Sequence, residues 1–194
     1  MTVVEGAFAT ACAVLRRLYH RKRFVAGMAA LLALCGCLAS QEPLLAPGSG
    51  EAVFGAEGVL VRIDYDRLRG PLQQKLRFTL EDGAYVLGEG RAIEPARYRL
   101  QALQGEWLIW QKTSAPEQTS LYGLARREGG RLWTYLPDCT LLSPSERAGL
   151  HLSVGDSGAC WIKDRGQLRA AMLYFKDRPN KLIGYYEVIG AAPR

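Results

Sequence analysis

The sequence predicts an α+β domain that is mainly antiparallel β: about six to eight strands in a curled or barrel-like meander, with one C-terminal covering helix. Three observations lead to this prediction. Apolar and polar residues alternate with period two through the middle of the chain, short glycine-containing turns separate the alternating segments, and one long stretch near the end has helical spacing. The aromatic and β-branched residues of the alternating segments also favour strands over helices.

The first predicted strand begins at Val59, and Val61 shares its face whereas Arg62 lies on the opposite face. The later segments repeat this alternation. Asp82-Gly83 lies between two of them and has the residue types of a tight hairpin turn. Strands are predicted over residues 59–65, 76–80, 84–87, 98–102, 106–111, 121–126, 131–136 and 182–189.

The main helix signals lie in the last third of the chain. Ser143 and Glu146 form a capping-box pattern with a proline at the first helical position, and Gly149 ends this short turn. Asp164 is suited to cap a longer helix over residues 165–177. The apolar stripe of the longer helix consists of Leu168, Ala171, Met172 and Phe175. Because such a stripe must be buried, this helix is expected to cover one face of the sheet.

The first forty residues have the layout of a secretory signal. The basic segment RRLYHRKR (residues 16–23) precedes eleven apolar residues, FVAGMAALLAL (24–34). The stretch without charged residues that contains these eleven apolar residues is shorter than the roughly 20 residues that a membrane-spanning helix needs. The next four residues, Leu34-Cys35-Gly36-Cys37, resemble the lipobox of bacterial lipoproteins, whose last cysteine becomes the lipidated N-terminus. Cys37 matches better than Cys35, since the bulky Leu34 directly precedes Cys35.

This resemblance implies a domain plan and a location. Residues 1–36 are expected to form a signal peptide, residues 37–58 a flexible tether, and residues 59–194 a single β-rich domain. Cys37 is expected to carry the lipid and to hold the protein in the cell envelope, facing the periplasm, because several acyl chains anchor more firmly than one. Leu38 stands where an inner-membrane retention signal would place Asp, so the outer membrane is expected in a Gram-negative cell. The alternatives are an uncleaved signal anchor and an ordinary cleavage site nearby.

The net charge of +6 is concentrated near the N-terminus. Residues 1–37 hold five of the 25 Lys and Arg residues but one of the 19 acidic residues, so the rest of the chain is nearly neutral. A nearly neutral domain lacks the basic surface that a phosphate backbone requires. We therefore expect no nucleic-acid partner.

The chain has five cysteines. Two of them lie in the predicted signal peptide and Cys37 is expected to be acylated, so two cysteines remain in the predicted domain. Cys139 and Cys160 are expected to form a disulfide in an oxidising compartment, which would stabilise the fold by about 3 kcal/mol; the alternative is two separately buried thiols. His151 is the only histidine after residue 37, and no cluster of residues has metal-ligand spacing. No metal and no cofactor is expected.

The stretch GDSGAC (residues 155–160) resembles the nucleophile turn of chymotrypsin-like serine proteases. That family places a histidine base far upstream of the serine, whereas His151 lies only six residues before Ser157. We therefore expect no catalytic residue and interpret the stretch as a hairpin loop that returns Cys160 towards Cys139. A serine hydrolase in which Ser157 uses His151 and Asp156, or Lys163, stays the third functional alternative.

The leading functional prediction is a non-enzymatic module that docks protein partners or maintains the envelope. Trp107 and Trp110 are three residues apart in a predicted strand, so they face opposite sides and at least one lies outside any single core. An exposed tryptophan is a potential contact point. The second alternative is an apolar or lipid ligand bound in a pocket of the curled sheet.

Overall fold

Eight antiparallel strands close into a barrel at the centre of the protein. A computed structural model describes residues 36–66, 70–88, 96–113, 119–155, 158–178 and 180–190. The predicted signal peptide up to residue 35, together with residues 156 and 157 of the GDSGAC stretch, lies outside these ranges. The strands are β1 (Leu38–Ser40), β2 (Glu57–Asp66), β3 (Gly70–Glu81), β4 (Ala84–Gly88), β5 (Ala96–Gln104), β6 (Trp107–Thr113), β7 (Ser120–Glu128), β8 (Arg131–Leu136), β9 (Ser153–Val154), β10 (Cys160–Trp161) and β11 (Lys181–Gly190).

The barrel follows the chain order from β2 to β8 and closes through β11. Each strand from β3 to β8 pairs with the strand before it in the chain, and β11 pairs with both β8 and β2. This arrangement confirms the predicted antiparallel, barrel-like meander. The β3–β4 turn has Asp82 and Gly83 at φ 49° and 69°, the left-handed conformation that a two-residue hairpin requires.

Apolar side chains fill the inside of the barrel. Alternate residues of each strand point inward, so Trp110 lies inside, whereas Trp107 lies on the outer side of the same strand. The sequence predicted this division of the two tryptophans. The buried interior cluster consists of Leu60, Leu76, Phe78, Tyr85, Leu87, Leu100, Leu108, Trp110, Ala125 and Leu132.

A second apolar core lies on the outside of the barrel. Helix α2 (Arg165–Lys176), which follows the short helix α1 (Pro144–Gly149), packs against β5 and β7. The predicted stripe is buried in this core, from Leu168 at 0% to Phe175 at 3% exposure. Within the described ranges there are therefore two α-helices where one covering helix was predicted, although the capping box at Ser143 and the cap at Asp164 form as the sequence indicates.

The segment that was predicted to be a flexible tether is packed against the barrel along much of its length. Residues Leu38–Ser40 form β1, which pairs with β7 on one edge and with β10 on the other. Leu45 is 1% exposed and its N–H donates to Gln111 Oε1 at 2.8 Å. Phe54 packs against Phe78 and Tyr85 at one end of the barrel interior. The described domain therefore begins about twenty residues earlier than the sequence suggested.

A disulfide holds the lobe beside β1 together. Cys139 and Cys160 are bonded, with their Cα atoms 6.3 Å apart, as predicted. Cys139 begins a 3₁₀ turn (Cys139–Leu141), and Cys160 begins β10, which pairs with β9. The backbone of Gly36 contacts both sides of this lobe, because its carbonyl accepts from Cys139 N–H and its N–H donates to Gly158 O, each at 2.9 Å.

The two helices are connected by a polar contact. The Tyr174 hydroxyl on α2 donates to Glu146 Oε1 on α1, and Arg178 Nη1 lies 3.3 Å from the same carboxylate oxygen. The Arg178 guanidinium also lies 3.9 Å from the centre of the Tyr174 ring. The hydrogen bond from Tyr174 is the main cause that lowers the pKa of Glu146 to about 2. The carboxylate is therefore charged throughout the neutral range.

Candidate functional site

The GDSGAC stretch connects two paired strands. Val154 in β9 lies opposite Cys160 in β10, and Gly155 N–H donates to Ala159 O at 2.9 Å. This pairing has the geometry of the predicted hairpin loop. Ser157 and Asp156 lie outside the described residues, whereas His151 and Lys163, the other residues of the hydrolase alternative, have exposed side chains on the same lobe.

Cys37, the predicted lipid-attachment residue, stands directly before β1. Its side chain is 3% exposed, and its carbonyl accepts a hydrogen bond from Cys160 N–H at 2.8 Å. The structure thus places Cys37 at the junction of the barrel and the disulfide lobe, with no flexible segment between Cys37 and the first strand.

The aromatic side chains on the outer surface of β2, β11, β8 and β6 form a row that we call the aromatic wall. Its members are Tyr65, Tyr185, Trp133, Tyr135 and Trp107. The centre of the Trp133 ring lies 4.9 Å from that of Tyr185, and the Tyr65 and Tyr185 rings are 6.5 Å apart. Trp107 and Tyr135 are 5.5 Å apart. Tyr65 is 40% exposed and the other members are half-buried, so the wall is accessible.

An arginine lies over each of two rings of this row, Tyr185 and Trp107. The Arg131 guanidinium is 4.7 Å from the centre of the Tyr185 ring, and its Nε lies 3.0 Å from Glu187 Oε2. Arg126 lies 5.7 Å from the centre of the Trp107 ring. The hydrogen bond to Glu187 is the main cause that raises the pKa of Arg131. Both arginines present flat cationic groups beside flat aromatic ones, an arrangement in which cation–π attraction operates.

A shallow cleft of about 370 Å³ opens within the aromatic wall. Its lining residues are Glu128, Gly129, Arg131, Trp133, Tyr135 and Leu182. Burial raises the pKa of Tyr135, so its hydroxyl stays protonated at neutral pH and can donate a hydrogen bond. The cleft therefore combines apolar surface with a hydroxyl donor, a guanidinium and a carboxylate.

An ion pair lies on the inward face of β2. Arg62 Nε lies 2.8 Å from Asp64 Oδ1, and the Arg62 guanidinium lies 5.9 Å from the centre of the Tyr186 ring. Burial lowers the pKa of Arg62, but Tyr186, Asp64 and Tyr98 outweigh that effect and raise the pKa above its usual value. Arg62 is therefore a permanent cation inside the barrel.

Metal-ligating residues do not cluster in the part of the chain that the structure describes. In the same residues, neither helix has the length and apolar character needed to cross a bilayer.

Comparison with protein-family models, with curated proteins and with solved structures gives no significant match. The functional interpretation therefore depends on the residues of this chain.

Sequence reasoning singled out one member of the aromatic wall, Trp107, but it missed the row as a unit. The signal that was present is the alternation of Arg131, Trp133 and Tyr135, which places these residues on one face of β8. Tyr185 joins them only because β11 returns to pair with β8, a pairing that the sequence does not reveal.

Proposed function

We propose that the protein is a lipid-anchored component of a bacterial cell envelope and that its barrel docks a protein partner through the aromatic wall. The observation that carries the docking proposal is the accessible row of Tyr65, Tyr185 and Trp133 with Arg131 stacked against it. Exposed apolar patches on the surface of a protein are characteristic of interaction sites.

The composition of the wall favours a protein partner. Tryptophan, tyrosine and arginine are the residues that most often dominate binding energy at protein interfaces. Their rings lose little conformational freedom on binding, and here Trp133 and Tyr185 are already held against each other 4.9 Å apart. The strands of a closed barrel also keep the wall rigid. A partner that presents apolar side chains and a hydrogen-bond acceptor for the Tyr135 hydroxyl would match the cleft.

Lipid attachment at Cys37 has a structural consequence. Cleavage after Gly36 would remove the two backbone hydrogen bonds that Gly36 makes to Cys139 and Gly158. The buried Cys37 side chain would also have to turn outward to carry its lipid, while its carbonyl can keep the bond from Cys160 N–H. We propose that acylated Cys37 keeps β1 in place, faces the periplasm, and resides in the outer membrane of a Gram-negative cell.

The alternative of an apolar or lipid ligand inside the barrel has less support. Phe54, Phe78, Tyr85 and Trp110 occupy the interior, and their rings contact one another or neighbouring interior side chains. A ligand would have to displace several of these large side chains, each of which contributes roughly 1.5–3 kcal/mol when it is buried.

A photo-crosslinking experiment in living cells tests the docking proposal. A benzophenone amino acid is introduced at Leu182, which lines the cleft, or at Thr79, an exposed position on β3 that serves as the control. We expect a discrete adduct with another protein from position 182 and none from position 79. The adduct should disappear when Trp133→Ala and Tyr185→Ala are added. Equal adducts from both positions, or an adduct that survives the two substitutions, would contradict the proposal.

Intact-mass analysis and membrane fractionation test the anchor. Wild type should be membrane-bound and should carry the mass of the acyl groups on a chain that begins at Cys37. Cys37→Ala should lose that mass and leave the membrane fraction. Reduction by an added thiol reagent should add two hydrogen atoms to the wild-type mass, because opening the Cys139–Cys160 bond gives two thiols. A wild-type protein without acyl mass would overturn the anchoring proposal.

A further inference from the structure

The N-terminal half of β3 extends beyond the strand that pairs with its far edge. β3 pairs with β2 from Gly70 to Thr79, whereas β4 pairs only with Arg77–Glu81. Among the described residues, Pro71–Lys75 therefore have a neighbouring strand on one edge only, and all five of them are exposed. We call the other edge of Pro71–Lys75 the open edge.

The strand register determines which backbone groups face the open edge. Alternate residues of an antiparallel strand direct both their N–H and their C=O to the same side. Leu80 N–H donates to Ala56 O on the β2 side at 2.7 Å, so the even-numbered residues of β3 face β2. Because the β2–β3 register has no shift, Pro71, Gln73 and Lys75 face the open edge. This edge therefore presents three carbonyls but only two N–H groups, since proline has none.

The pattern of donors and acceptors on the open edge is complementary to itself. When a second copy lies antiparallel with Gln73 opposite Gln73, each Gln73 N–H meets the other Gln73 C=O, and each Lys75 N–H meets the Pro71 C=O of the other copy. All four N–H groups then have acceptors. A pairing centred one residue nearer β4 would place Pro71 of the second copy opposite Arg77, whose edge β4 already occupies. A pairing centred one residue further away would form only two of these bonds.

Side chains on both faces of the open edge favour the same pairing. Tyr65 lies opposite Pro71 in β2 and is 40% exposed. In the antiparallel pair, Lys75 of one copy lies on the same face as Tyr65 of the other, two strand spacings or about 10 Å away, so its ammonium can reach the exposed ring. Leu72 is 42% exposed on the opposite face, where it meets Leu72 of the second copy on the diagonal. Two exposed apolar side chains thereby lose contact with water.

The pairing does not bring like charges together. The two Lys75 residues are offset by four positions along the paired strands, which is about 14 Å. This distance exceeds the Debye length of about 8 Å at physiological ionic strength, so their repulsion is largely screened.

We propose that two copies of the protein associate through the open edge and join their barrels into one continuous sheet. Strand addition at a free edge is a common mode of recognition, in which backbone hydrogen bonds give affinity and side chains give specificity. The arrangement has two-fold symmetry, so it closes as a dimer and does not extend into a fibre. The two aromatic walls lie on the same face of the joined sheet. This inference depends neither on the lipid at Cys37 nor on docking at the wall.

Native mass spectrometry of the full-length protein, released from detergent micelles at several concentrations, tests the inference. Gln73→Pro removes the central donor of each copy but no bond to β2, because residue 73 faces the open edge. Gln73→Ala is the matched control, since it keeps the N–H. We expect wild type and Gln73→Ala to form a dimer whose fraction rises with concentration, and Gln73→Pro to lose it. A wild type that stays monomeric throughout, or equal dimer fractions in the two variants, would overturn the proposal.

Cysteine cross-linking tests the register. Residues opposite each other in a hydrogen-bonded pair have Cα atoms about 5.5 Å apart, within the range of a disulfide. After oxidation with diamide, Gln73→Cys should give a linked dimer, and a mixture of Pro71→Cys and Lys75→Cys chains should give a linked heterodimer. Lys75→Cys alone should give none, because its two sulfurs are too far apart. Dimers from Lys75→Cys alone in the yield of Gln73→Cys would contradict this pairing.

The outcomes are distinct from those that test the anchor and the aromatic wall. An intact Cys139–Cys160 bond by mass shows that each variant has folded, and the cross-links decide the question where Gln73→Pro does not fold. A monomer that carries acyl mass and still forms the Leu182 adduct overturns the dimer alone. A monomer whose Gln73→Cys couples in cells to a different protein assigns the open edge to that protein and overturns the second copy as its occupant.

Discussion

Replacing Tyr122 with phenylalanine removes a single hydroxyl that fastens the N-terminal segment to the barrel. This hydroxyl lies on the fully buried side chain of Tyr122 in β7, where it bonds to the Ser40 hydroxyl at 2.7 Å and accepts from Leu44 N–H at 2.9 Å. Burial raises the pKa of Tyr122, so the group stays a neutral hydroxyl. The substitution keeps the ring and its packing, and it deletes these two bonds together with a longer one, 3.4 Å, in which the hydroxyl donates to Glu42 O.

The expected loss follows from the two bonds. A hydrogen bond contributes about 1 kcal/mol net, and a buried donor that is left without a partner costs about 1–3 kcal/mol. Ser40 can keep its other bond to Glu42 O, and Leu44 is only half-buried, so water can reach part of the site. We therefore expect the free energy of unfolding to fall by about 2 kcal/mol. For a domain of this size that corresponds to a decrease of about 4–8 °C in Tm.

Thermal denaturation and hydrogen exchange measure the effect on the full chain in detergent. Backbone amides of residues 38–45 should exchange faster in Tyr122→Phe than in wild type, while the interior strands keep their protection. Tyr65→Phe is the control: its ring is 40% exposed on the aromatic wall, so the free energy of unfolding of this variant should stay within about 0.5 kcal/mol of that of the wild type. Unchanged exchange at residues 38–45 together with an unchanged Tm would refute the packed position of this segment.

Three further predictions concern the rest of the domain. The pKa of Glu146 is about 2, which is below the value of this carboxyl in the unfolded chain. The charged carboxylate therefore contributes to stability above about pH 4.5, and this contribution is lost as the pH falls towards 2. Glu146→Gln should flatten the dependence of Tm on pH in that range. Replacing both Cys139 and Cys160 with alanine should lower the free energy of unfolding by about 3 kcal/mol, measured in urea against the wild type. Gly123→Ala should destabilise the barrel and perturb tryptophan emission, because the added methyl group would overlap the Trp110 indole; a variant as stable as wild type would contradict this packing.

The sequence predicts the barrel strands well because their signals are local. Period-two alternation from Val59 onwards locates the barrel strands to within a few residues, except that β3 begins at Gly70, six residues before its predicted start. The turn at Asp82-Gly83 has the positive φ values that its residue types favour. The capping residues Ser143 and Asp164 begin the two helices as expected. Each of these features depends on neighbours in the chain, so a single sequence is sufficient to find it.

The packing of the N-terminal segment cannot be predicted in this way, because its contacts are with residues far away in the sequence. Ser40, Leu45 and Phe54 are anchored by partners on β6, β7 and the barrel interior, yet Pro and Gly separate them and no periodicity connects them. The aromatic wall is missed for a related reason. Alternation assigns Trp133 and Tyr185 to one face of their own strands, but only the pairing of β8 with β11 brings them together.

The position of β1 also sets an order of events as the protein folds. Its hydrogen-bonding partners come from residues 120–122 and 160–161, and Ser40 meets Tyr122 across 82 positions of the chain. A chain that emerges from its N-terminus therefore has to wait for most of its length before these residues find their places, since contacts between distant residues form slowly. The first part of the domain to leave the ribosome is thus secured only after residues 160–161 have been made, and until then its apolar residues are exposed to chaperones and proteases.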